Sequence, residues 1–535
     1  MVKQLLLCAA FGALPAAAAT PAPKLVLVLV VDGLPNEQVQ RYREQFGPGG
    51  LRRLLDEGAA FSQAHQAHGV TVTAVGHAAI LSGAYPYRHG VIGNNWIDPA
   101  SHASVYCTED ARYHYLDEKT AAHDGTSPAT LRVDTLGDQL RYGSGQRAKV
   151  VAVSGKDRGA ILLAGKSGTA YMYMNSSGNF ATSSYYMASY PQWVQDFRAA
   201  RPQERFAGKS WTALLPPAAY AGDAAARAGS AEHFPYTYGS ARDAGYYEGL
   251  KAGPFVDELT LDFARAAIDG EQLGHNPAGV PDLLAVSLSD HDYINHDFGP
   301  ESALSHDHLL RLDRLLAQFF GFLEQRVGID NVLVVLTADH GFSNTAEFSQ
   351  AAHIDARRID SSRMLAAVNA GLAARFKADK LVQAWSLPNL HLDKVQIDKL
   401  GLRYADVEAE AARLLAEHPG IAQVYTRSAL SSGALPATQM SKLMQRAWHR
   451  QLSGDLMVVA EPYSYFASKA DGTTHGSPYA YDTNVPLLLM GKRWIKPGAY
   501  GQYAEVVDIA PTLAHLLHLR PPAGAEGRVL TEALE

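Results

Sequence analysis

Residues 331–341, N-V-L-V-V-L-T-A-D-H-G, decide the fold of this chain. The run of branched apolar residues from Val332 to Leu336 predicts a strand buried on both faces, as in a parallel sheet. The run stops at Asp339 and His340, and parallel strands of an open α/β sheet end at the edge where ligands bind. A carboxylate beside an imidazole favours a cation such as Zn²⁺. The alternative is an Asp that caps a helix, followed by a surface His.

Length and composition are those of a globular protein with room for insertions. The 535 residues suffice for one large domain with insertions or for two to four domains. Hydrophobic residues make up 47% of the chain and charged residues 19%, an ordinary balance for a folded protein. The formal net charge of −7 argues against a general nucleic-acid-binding protein, so we expect no nucleic-acid partner.

The N-terminus, M-V-K-Q-L-L-L-C-A-A-F-G-A-L-P-A-A-A-A-T, has the parts of a bacterial secretory signal peptide. Lys3 supplies the positive charge, leucines and alanines the apolar segment, and Ala17–Ala19 the cleavage site. We expect residues 1–19 to be removed and the rest to be exported to the periplasm or the medium. A membrane anchor is the alternative, but this apolar run is short and no later run reaches about 18 residues.

Cysteine usage excludes an intrachain disulfide in the mature chain. Cys8 lies in the signal peptide, where Leu7 precedes it in place of the small residue that a lipoprotein signal needs. Cleavage then leaves Cys107 as the single cysteine. Stability must therefore come from a large core, and Cys107 is expected to be a buried apolar residue.

Strand and helix patterns alternate along the chain. This predicts an α/β fold with a central, mostly parallel sheet flanked by helices on both faces. Residues 20–535 would form one catalytic domain, with cap insertions over the sheet edge at roughly 167–253 and 356–453. The predicted strands are Leu25–Val31, Lys149–Val153, Leu283–Leu288, Val332–Leu336 and Val485–Met490, and the longest predicted helix is Ala303–Val327.

Three of the predicted strands end in residues that bind metals. One acidic residue after a strand commonly caps the following helix, but three strand ends of this type indicate a metal centre. The residues concerned are Asp32 after the first strand, Asp292 and His296 after the third, and Asp339 and His340 after the fourth.

The third of these strand ends carries a helical ligand pair. Asp292 and His296 are four residues apart, so a helix would place both on one face. Asp290 is not at helical spacing from His296, and we expect it to be a cap or a group that supports the ligands. His475, in the loop D-G-T-T-H-G-S-P, is a further candidate ligand.

A second group of residues has the chemistry of a phosphate site. Thr73, in the segment H-G-V-T-V-T-A-V-G-H-A-A-I-L-S-G, would begin a helix, whose amide donors and positive dipole end suit a phosphate. The alternative for an isolated Thr is a helix cap. Asn94 follows in G-V-I-G-N-N-W, and Lys156 and Arg158 follow the second strand. Two cations at the end of a buried strand favour an anion as their partner.

In this order, these motifs resemble the alkaline phosphatase superfamily, and within it the phosphate-irrepressible type with a threonine nucleophile. The resemblance covers nearly the whole mature chain and includes V-D-I-A-P-T-L at 507–513. It implies that Thr73 is the nucleophile and that Asn94, Lys156 and Arg158 contact phosphate. It also implies two Zn²⁺ ions, one bound by Asp292, His296 and His475 and the other by Asp32, Asp339, His340 and the Thr73 oxygen.

The activity implied by the resemblance is the hydrolysis of small-molecule phosphate monoesters through a phosphothreonine. A nucleotide pyrophosphatase/phosphodiesterase of the same superfamily is the alternative, and it would lack the Lys156 and Arg158 pair. A metal-binding protein without catalysis is a weaker alternative, because no expected position is disturbed. A sulfatase needs C/S-x-P-x-R, which the residues after Cys107 do not match. The oligomeric state stays open, and a monomer is compatible with the sequence.

Overall fold

The computed structural model describes residues 21–223, 234, 236, 237, 239, 240, 243–467 and 470–535. The predicted signal peptide and its cleavage site lie outside these residues. None of the helices within the described ranges is both long enough and apolar enough to cross a bilayer.

Nine strands within the described ranges form the main sheet, which confirms the predicted α/β fold. Their order across the sheet is β9-β2-β8-β7-β1-β6-β3-β4-β5. The five strands from β7 to β4 run parallel to one another. The strands are β1 Leu25–Val31, β2 Ala59–His65, β3 Val150–Ser154, β4 Thr169–Tyr173, β5 Phe180–Ala181, β6 Asp282–Leu288, β7 Val332–Thr337, β8 Leu487–Met490 and β9 Gly498–Glu505.

The centre of the sheet is buried on both faces, as its continuous apolar sequence predicts. Every residue of β1 is fully buried. In the register of the sheet, Val31 pairs with Leu288 of β6, and Val30 pairs with Thr337 of β7. The three strands therefore end at the same level, and the residues that follow them meet at one edge.

The prediction of a parallel strand at Val485–Met490 is wrong in direction. Strand β8 runs antiparallel to β7, with its first residue, Leu487, paired with the last residue of β7, Thr337. The segment before β8 contains His475 and lies at the edge where the parallel strands end. A strand that enters the sheet from that edge has to run away from it, and so it opposes its neighbour.

Five helices matter for the site: α1 Thr73–Ser82, α2 Asp157–Ala164, α3 Phe255–Glu271, α4 Asp290–Phe298 and α5 Ala303–Arg326. Helix α5 begins at the predicted residue and ends one residue earlier than predicted. The other α-helices are Asn36–Arg41, Leu51–Glu57, Pro86–His89, Leu136–Gly143, Gln192–Ala199, Tyr246–Gly249, Ala346–Ala351, Ser361–Phe376, Lys394–Lys399, Tyr404–Ala416, Arg427–Ser432, Gln439–Ala447, Ala480–Thr483 and Ile509–Leu516.

The two stretches predicted as insertions differ in structure. Strands β4 and β5 lie within 167–253, so part of that stretch belongs to the main sheet. The stretch 356–453 contributes three strands to a second, four-stranded sheet, which has an apolar cluster of its own. The order of that sheet is Val382–Ser386, Asn389–Leu392, Leu456–Ala460, Ile421–Thr426. The division into a catalytic domain and caps stays a prediction.

Helix α1 meets the end of β7 at a glycine. A Cβ atom added to Gly76 would lie 2.0 Å from the backbone oxygen of Asp339 and 2.8 Å from its Cα. Both neighbours are backbone atoms, which cannot move aside without shifting the strand end. Only glycine therefore allows the helix that begins at Thr73 to lie this close to Asp339.

We expect Gly76→Ala to lower the free energy of unfolding by about 1–3 kcal/mol, because the added methyl overpacks this contact. Urea denaturation of the metal-free protein measures the change. Gly321→Ala is the matched control, since Gly321 lies in helix α5 with no atom within 4 Å of its added Cβ. The free energy of unfolding of the control should rise by roughly 0.5–1 kcal/mol, because alanine has a higher helix propensity than glycine. Equal stability of the two variants would contradict the close-contact argument.

Candidate active site

Side chains from four neighbouring parallel strands meet at the carboxyl edge of the sheet. Asp339 and His340 follow β7, Asp32 follows β1, Asp292 lies on α4 after β6, and Lys156 follows β3. All five are buried, with at most 3% of their surface exposed. The structure thus brings together the ligands that the sequence places at separate strand ends.

Asp32, Asp339 and His340 form the first ligand set. The Nε2 atom of His340 lies 3.5 Å from Asp32 Oδ1 and 3.5 Å from Asp339 Oδ2. The Nδ1 atom of His340 donates to the Gly341 carbonyl at 2.9 Å, which leaves Nε2 with a free lone pair. The backbone amides of Gly33 and His340 donate to Asp339 Oδ1 and fix that carboxylate.

Asp292, His296 and His475, the predicted second set, also lie close together. Asp292 Oδ1 lies 3.5 Å from His296 Nε2 and 3.4 Å from His475 Nε2. Hydrogen bonds from Nδ1 orient both imidazoles. The Nδ1 atom of His296 donates to the Thr473 carbonyl at 3.0 Å, and that of His475 donates to the Thr71 carbonyl at 2.8 Å. Each Nε2 is therefore available as a metal ligand.

The distances within both sets fit metal coordination better than hydrogen bonding. Separations of 3.4–3.5 Å exceed the usual N–H···O range. Two ligand atoms that are each about 2.1 Å from a tetrahedral ion lie about 3.4 Å apart. Moreover, Asp32 Oδ1, Asp292 Oδ1 and His340 Nε2 are buried without a hydrogen-bond partner. The two sets therefore fit two adjacent divalent ions.

Lys156 links the two ligand sets. Its ammonium lies 2.8 Å from Asp32 Oδ2 and 2.5 Å from Asp292 Oδ2. Burial disfavours the charged form of this lysine, but the two carboxylates hold its pKa above the ordinary value. The sequence predicts that Lys156 contacts phosphate, and the structure places its ammonium between the carboxylates of the two sets.

The three carboxylates differ in their electrostatic balance. Burial, together with the charge of Asp339, raises the pKa of Asp32 well above its ordinary value. Burial would also raise the pKa of Asp292, but Lys156, His296 and His475 hold that pKa well below its ordinary value. The pKa of Asp339 is lowered against the effect of burial by His340 and His77.

Thr73 is the first residue of α1 and is 1% exposed. The cap position belongs to Val72, whose side chain makes no capping bond, so the Thr73 hydroxyl is not used as a helix cap. The backbone amide of Ala74 donates to Asn94 Oδ1 at 2.9 Å. This bond holds Asn94 beside Thr73 and leaves its amide nitrogen to donate to a ligand.

Arg158 lies in α2, two residues after Lys156. Its Nη1 donates to the Tyr106 hydroxyl at 3.3 Å, while its Nε is buried without a hydrogen-bond partner. Both cations line a cavity of about 450 Å³ whose walls include Tyr106, Lys251 and Tyr293. The cavity gives an anionic ligand access to Lys156 and Arg158.

Three supporting side chains are absent from the sequence-based prediction. His77 lies one helical turn after Thr73, a spacing that could have indicated it. Its Nδ1 lies 2.9 Å from the Thr73 carbonyl and 3.1 Å from Asp339 Oδ2, so it ties the start of α1 to the first ligand set.

The other two supporting groups act through loops, for which the sequence holds no signal. Gln66 donates to the carbonyl of Ala338, directly before Asp339, at 3.1 Å. Asp482 Oδ2 accepts from the amides of Gly476 and Ser477, next to His475. Burial raises the pKa of Asp482 to about 7.

Comparison with known proteins places this arrangement in a known family. The family of type I phosphodiesterases and nucleotide pyrophosphatases matches residues 26–480. Alkaline phosphatase PafA of Elizabethkingia meningoseptica is 35% identical, with 96% of this chain and 95% of that protein covered. A protein of Myroides odoratus named calcium-transporting ATPase is 33% identical, with 96% and 95% covered.

The fold agrees with a solved structure over almost its full length. The crystal structure of wild-type PafA has a TM-score of 0.89 and 34% sequence identity, with 97% of this chain and all of that chain covered. The resemblance to the alkaline phosphatase superfamily and the fold class predicted from the sequence are both confirmed.

Protonation of buried histidines should make the protein less stable in mild acid. His68 is fully buried, and its Nε2 lies 3.1 Å from Gln66 Oε1. Burial lowers the pKa of His68 to about 3. Below the ordinary histidine pKa of about 6.5 the unfolded chain binds a proton that the folded chain does not. We expect His68 alone to lower the free energy of unfolding by roughly 2 kcal/mol as the pH falls from 7.5 to 5.

Urea denaturation of the metal-free protein at both pH values measures this loss. His68→Gln is the comparison variant, because glutamine retains an amide donor but does not titrate. Its loss between the two pH values should be smaller by roughly 2 kcal/mol. An identical loss in both proteins would contradict the assignment of a neutral, buried His68.

Proposed function

The chain belongs to the type I phosphodiesterase and nucleotide pyrophosphatase family, and we propose that it is an exported, zinc-dependent alkaline phosphatase. Its substrates would be small-molecule phosphate monoesters, hydrolysed through a phosphothreonine. The observation that carries this proposal is the position of Lys156 between two adjacent ligand sets, with Arg158 in the same cavity. Thr73 begins the helix that packs against Asp339 at Gly76. The full-length similarity to alkaline phosphatase PafA supports the proposal.

We propose that the two ligand sets bind one divalent ion each. The set of Asp32, Asp339 and His340 would be completed by the Thr73 oxygen, and the other ion would be held by Asp292, His296 and His475. Carboxylate and imidazole donors suit Zn²⁺. When bound, two such ions supply positive charge to the attacking and leaving oxygens and lower the pKa of a water molecule.

Thr73 would attack phosphorus in line with the leaving alcohol. Its Oγ forms the new bond to phosphorus as the bond to the alcohol oxygen breaks, and the alcohol leaves with a proton. Thr73 is the first residue of α1, so backbone amides and the positive end of the helix would face the phosphoryl oxygens. Water then attacks the phosphothreonine from the opposite side, which frees phosphate and restores the Thr73 hydroxyl.

Asn94, Lys156 and Arg158 would hold the non-bridging oxygens. The side-chain amide of Asn94 is oriented by the hydrogen bond that its Oδ1 accepts from the Ala74 amide. The guanidinium of Arg158 is buried beside the cavity. To reach a phosphoryl oxygen, Lys156 would share its ammonium between that oxygen and the carboxylates. Charge-assisted bonds of this type are stronger for a dianionic monoester than for a diester.

A nucleotide pyrophosphatase or phosphodiesterase activity is the second candidate, because the matching family is named for it. The metal ligands and Thr73 would serve either reaction. The cation pair Lys156 and Arg158 favours the monoester, since a diester has one charge fewer to place against it. The N-terminal sequence supports export to the periplasm or the medium.

We expect Thr73→Ala to abolish turnover of a phosphate monoester while the metal content stays unchanged, because the nucleophile is lost and the carboxylate and imidazole ligands remain. Initial rates and elemental analysis of the purified variant measure the two quantities. Ser82→Ala is the matched control, since it removes a buried hydroxyl at the other end of α1. The control should keep nearly full activity. Wild-type turnover in Thr73→Ala would refute the assigned nucleophile.

Lys156→Ala should lower kcat/KM for a monoester by about 10²-fold or more and for a diester by less, because a charged group near the developing charge is removed. Parallel assays with both substrates measure the difference. Lys149→Ala is the control, since Lys149 lies at the opposite end of β3 and contacts Glu271. Equal losses for both ester classes would mean that Lys156 does not discriminate between them.

A further inference from the structure

A third cluster of metal-binding side chains lies beneath the candidate active site. Asp257 of α3, Asp290 of α4 and His308 of α5 are at most 1% exposed. One ligand atom from each lies within 4.8 Å of the others. None of the three belongs to the catalytic sets described above.

The two carboxylates of this cluster are fixed by each other's backbone. The amide of Asp257 donates to Asp290 Oδ2 at 2.7 Å, and the amides of Ser289 and Asp290 donate to Asp257 Oδ1 at 2.6 and 3.2 Å. The remaining oxygens, Asp257 Oδ2 and Asp290 Oδ1, are buried without a hydrogen-bond partner. Each carboxylate therefore keeps one unused acceptor in the interior.

A chain of hydrogen bonds determines which nitrogen of His308 carries its proton. Gln38 Nε2 lies 2.7 Å from the Pro300 carbonyl, which can only accept, so Gln38 Oε1 faces His291 Nε2 at 2.7 Å. His291 must then donate through Nε2, and in its neutral form its Nδ1 is an acceptor. His308 Nδ1, at 3.0 Å, donates to it. The Nε2 atom of neutral His308 is left with a lone pair.

The same polarity follows from the other end of the network. Asn295 Nδ2 donates to the Gly33 carbonyl, so Asn295 Oδ1 accepts the Ser305 hydroxyl at 2.6 Å. The oxygen of Ser305 in turn accepts from Gln38 at 2.8 Å. Two backbone carbonyls, those of Gly33 and Pro300, thus impose one direction on the whole network.

Three acceptors consequently face one another with no donor between them. His308 Nε2 lies 3.4 Å from Asp257 Oδ2, which is longer than a hydrogen bond and close to the ligand spacing about a tetrahedral ion. The neighbouring cation Lys251 donates to the Tyr293 hydroxyl at 3.2 Å. One proton would satisfy one pair of acceptors, whereas a metal ion satisfies all three.

We propose that Asp257, Asp290 and His308 bind a third divalent ion, Zn²⁺ or Mn²⁺. Two carboxylates balance the charge of a divalent ion, and an imidazole ligand favours these metals over Mg²⁺ or Ca²⁺. Asp290 begins α4, two residues before Asp292 and six before His296. The ion would therefore hold the start of the helix that supplies two ligands of the catalytic centre, and its role would be structural.

The test is anomalous X-ray diffraction from crystals of the wild-type protein, grown without added metal and measured above and below the zinc and manganese edges. We expect an anomalous peak between Asp257, Asp290 and His308, in addition to those of the catalytic sets. Peaks at the catalytic sets alone would overturn this inference and leave the proposed function intact. A peak at this cluster without any at the catalytic sets would contradict the proposed function instead.

Elemental analysis of a variant provides an independent readout. Asp257→Asn should reduce the bound divalent metal from three equivalents per chain to two. The variant should still fold, because the amide oxygen can accept from Ser289 and the new amide nitrogen can donate to His308.

Asp313→Asn is the matched control. Asp313 is a buried carboxylate on α5 that accepts backbone amides through both oxygens. The control should keep three equivalents even if its stability falls. Two equivalents in the wild-type protein, or an unchanged count in Asp257→Asn, would overturn the third site.

Discussion

Three carboxylates buried at neighbouring strand ends are the constraint on which the rest of this structure depends. Asp32, Asp292 and Asp339 have at most 3% of their surface exposed. Buried charges are retained only when they are paired or bind a cation. Lys156 provides one positive charge to two of them. One ammonium cannot balance three buried carboxylates, so the arrangement favours additional cations.

The sheet provides the precision that such a site needs. Because β7, β1 and β6 end at one level, an amide after one strand can orient a carboxylate after the next, as Gly33 does for Asp339. At Gly33 the backbone φ is +70°, and an added Cβ would lie 3.1 Å from the Cα of Asp292. Glycine at this turn therefore allows the end of β1 to approach the helix that follows β6.

The parts of this architecture that depend on local sequence could be predicted, and the parts that depend on distant partners could not. Buried strands are continuous apolar runs, so their ends and the residues after them are visible in the sequence. The direction of β8 depends on where its preceding loop lies, and that is a tertiary property. Asp290 has the sequence of an ordinary helix start. Only the fold shows that its partners are Asp257, 33 residues earlier, and His308.

The charge balance of the edge supports the proposal that the substrate is a phosphate monoester. Three carboxylates against Lys156 and Arg158 leave one net negative charge. Two divalent ions would turn this into three positive charges, of which the Thr73 alkoxide removes one. A dianionic monoester then brings the centre to neutrality, whereas a monoanionic diester leaves a positive charge in a buried site. Because uncompensated charge is costly where water is excluded, the same carboxylates that require metals also favour the doubly charged substrate.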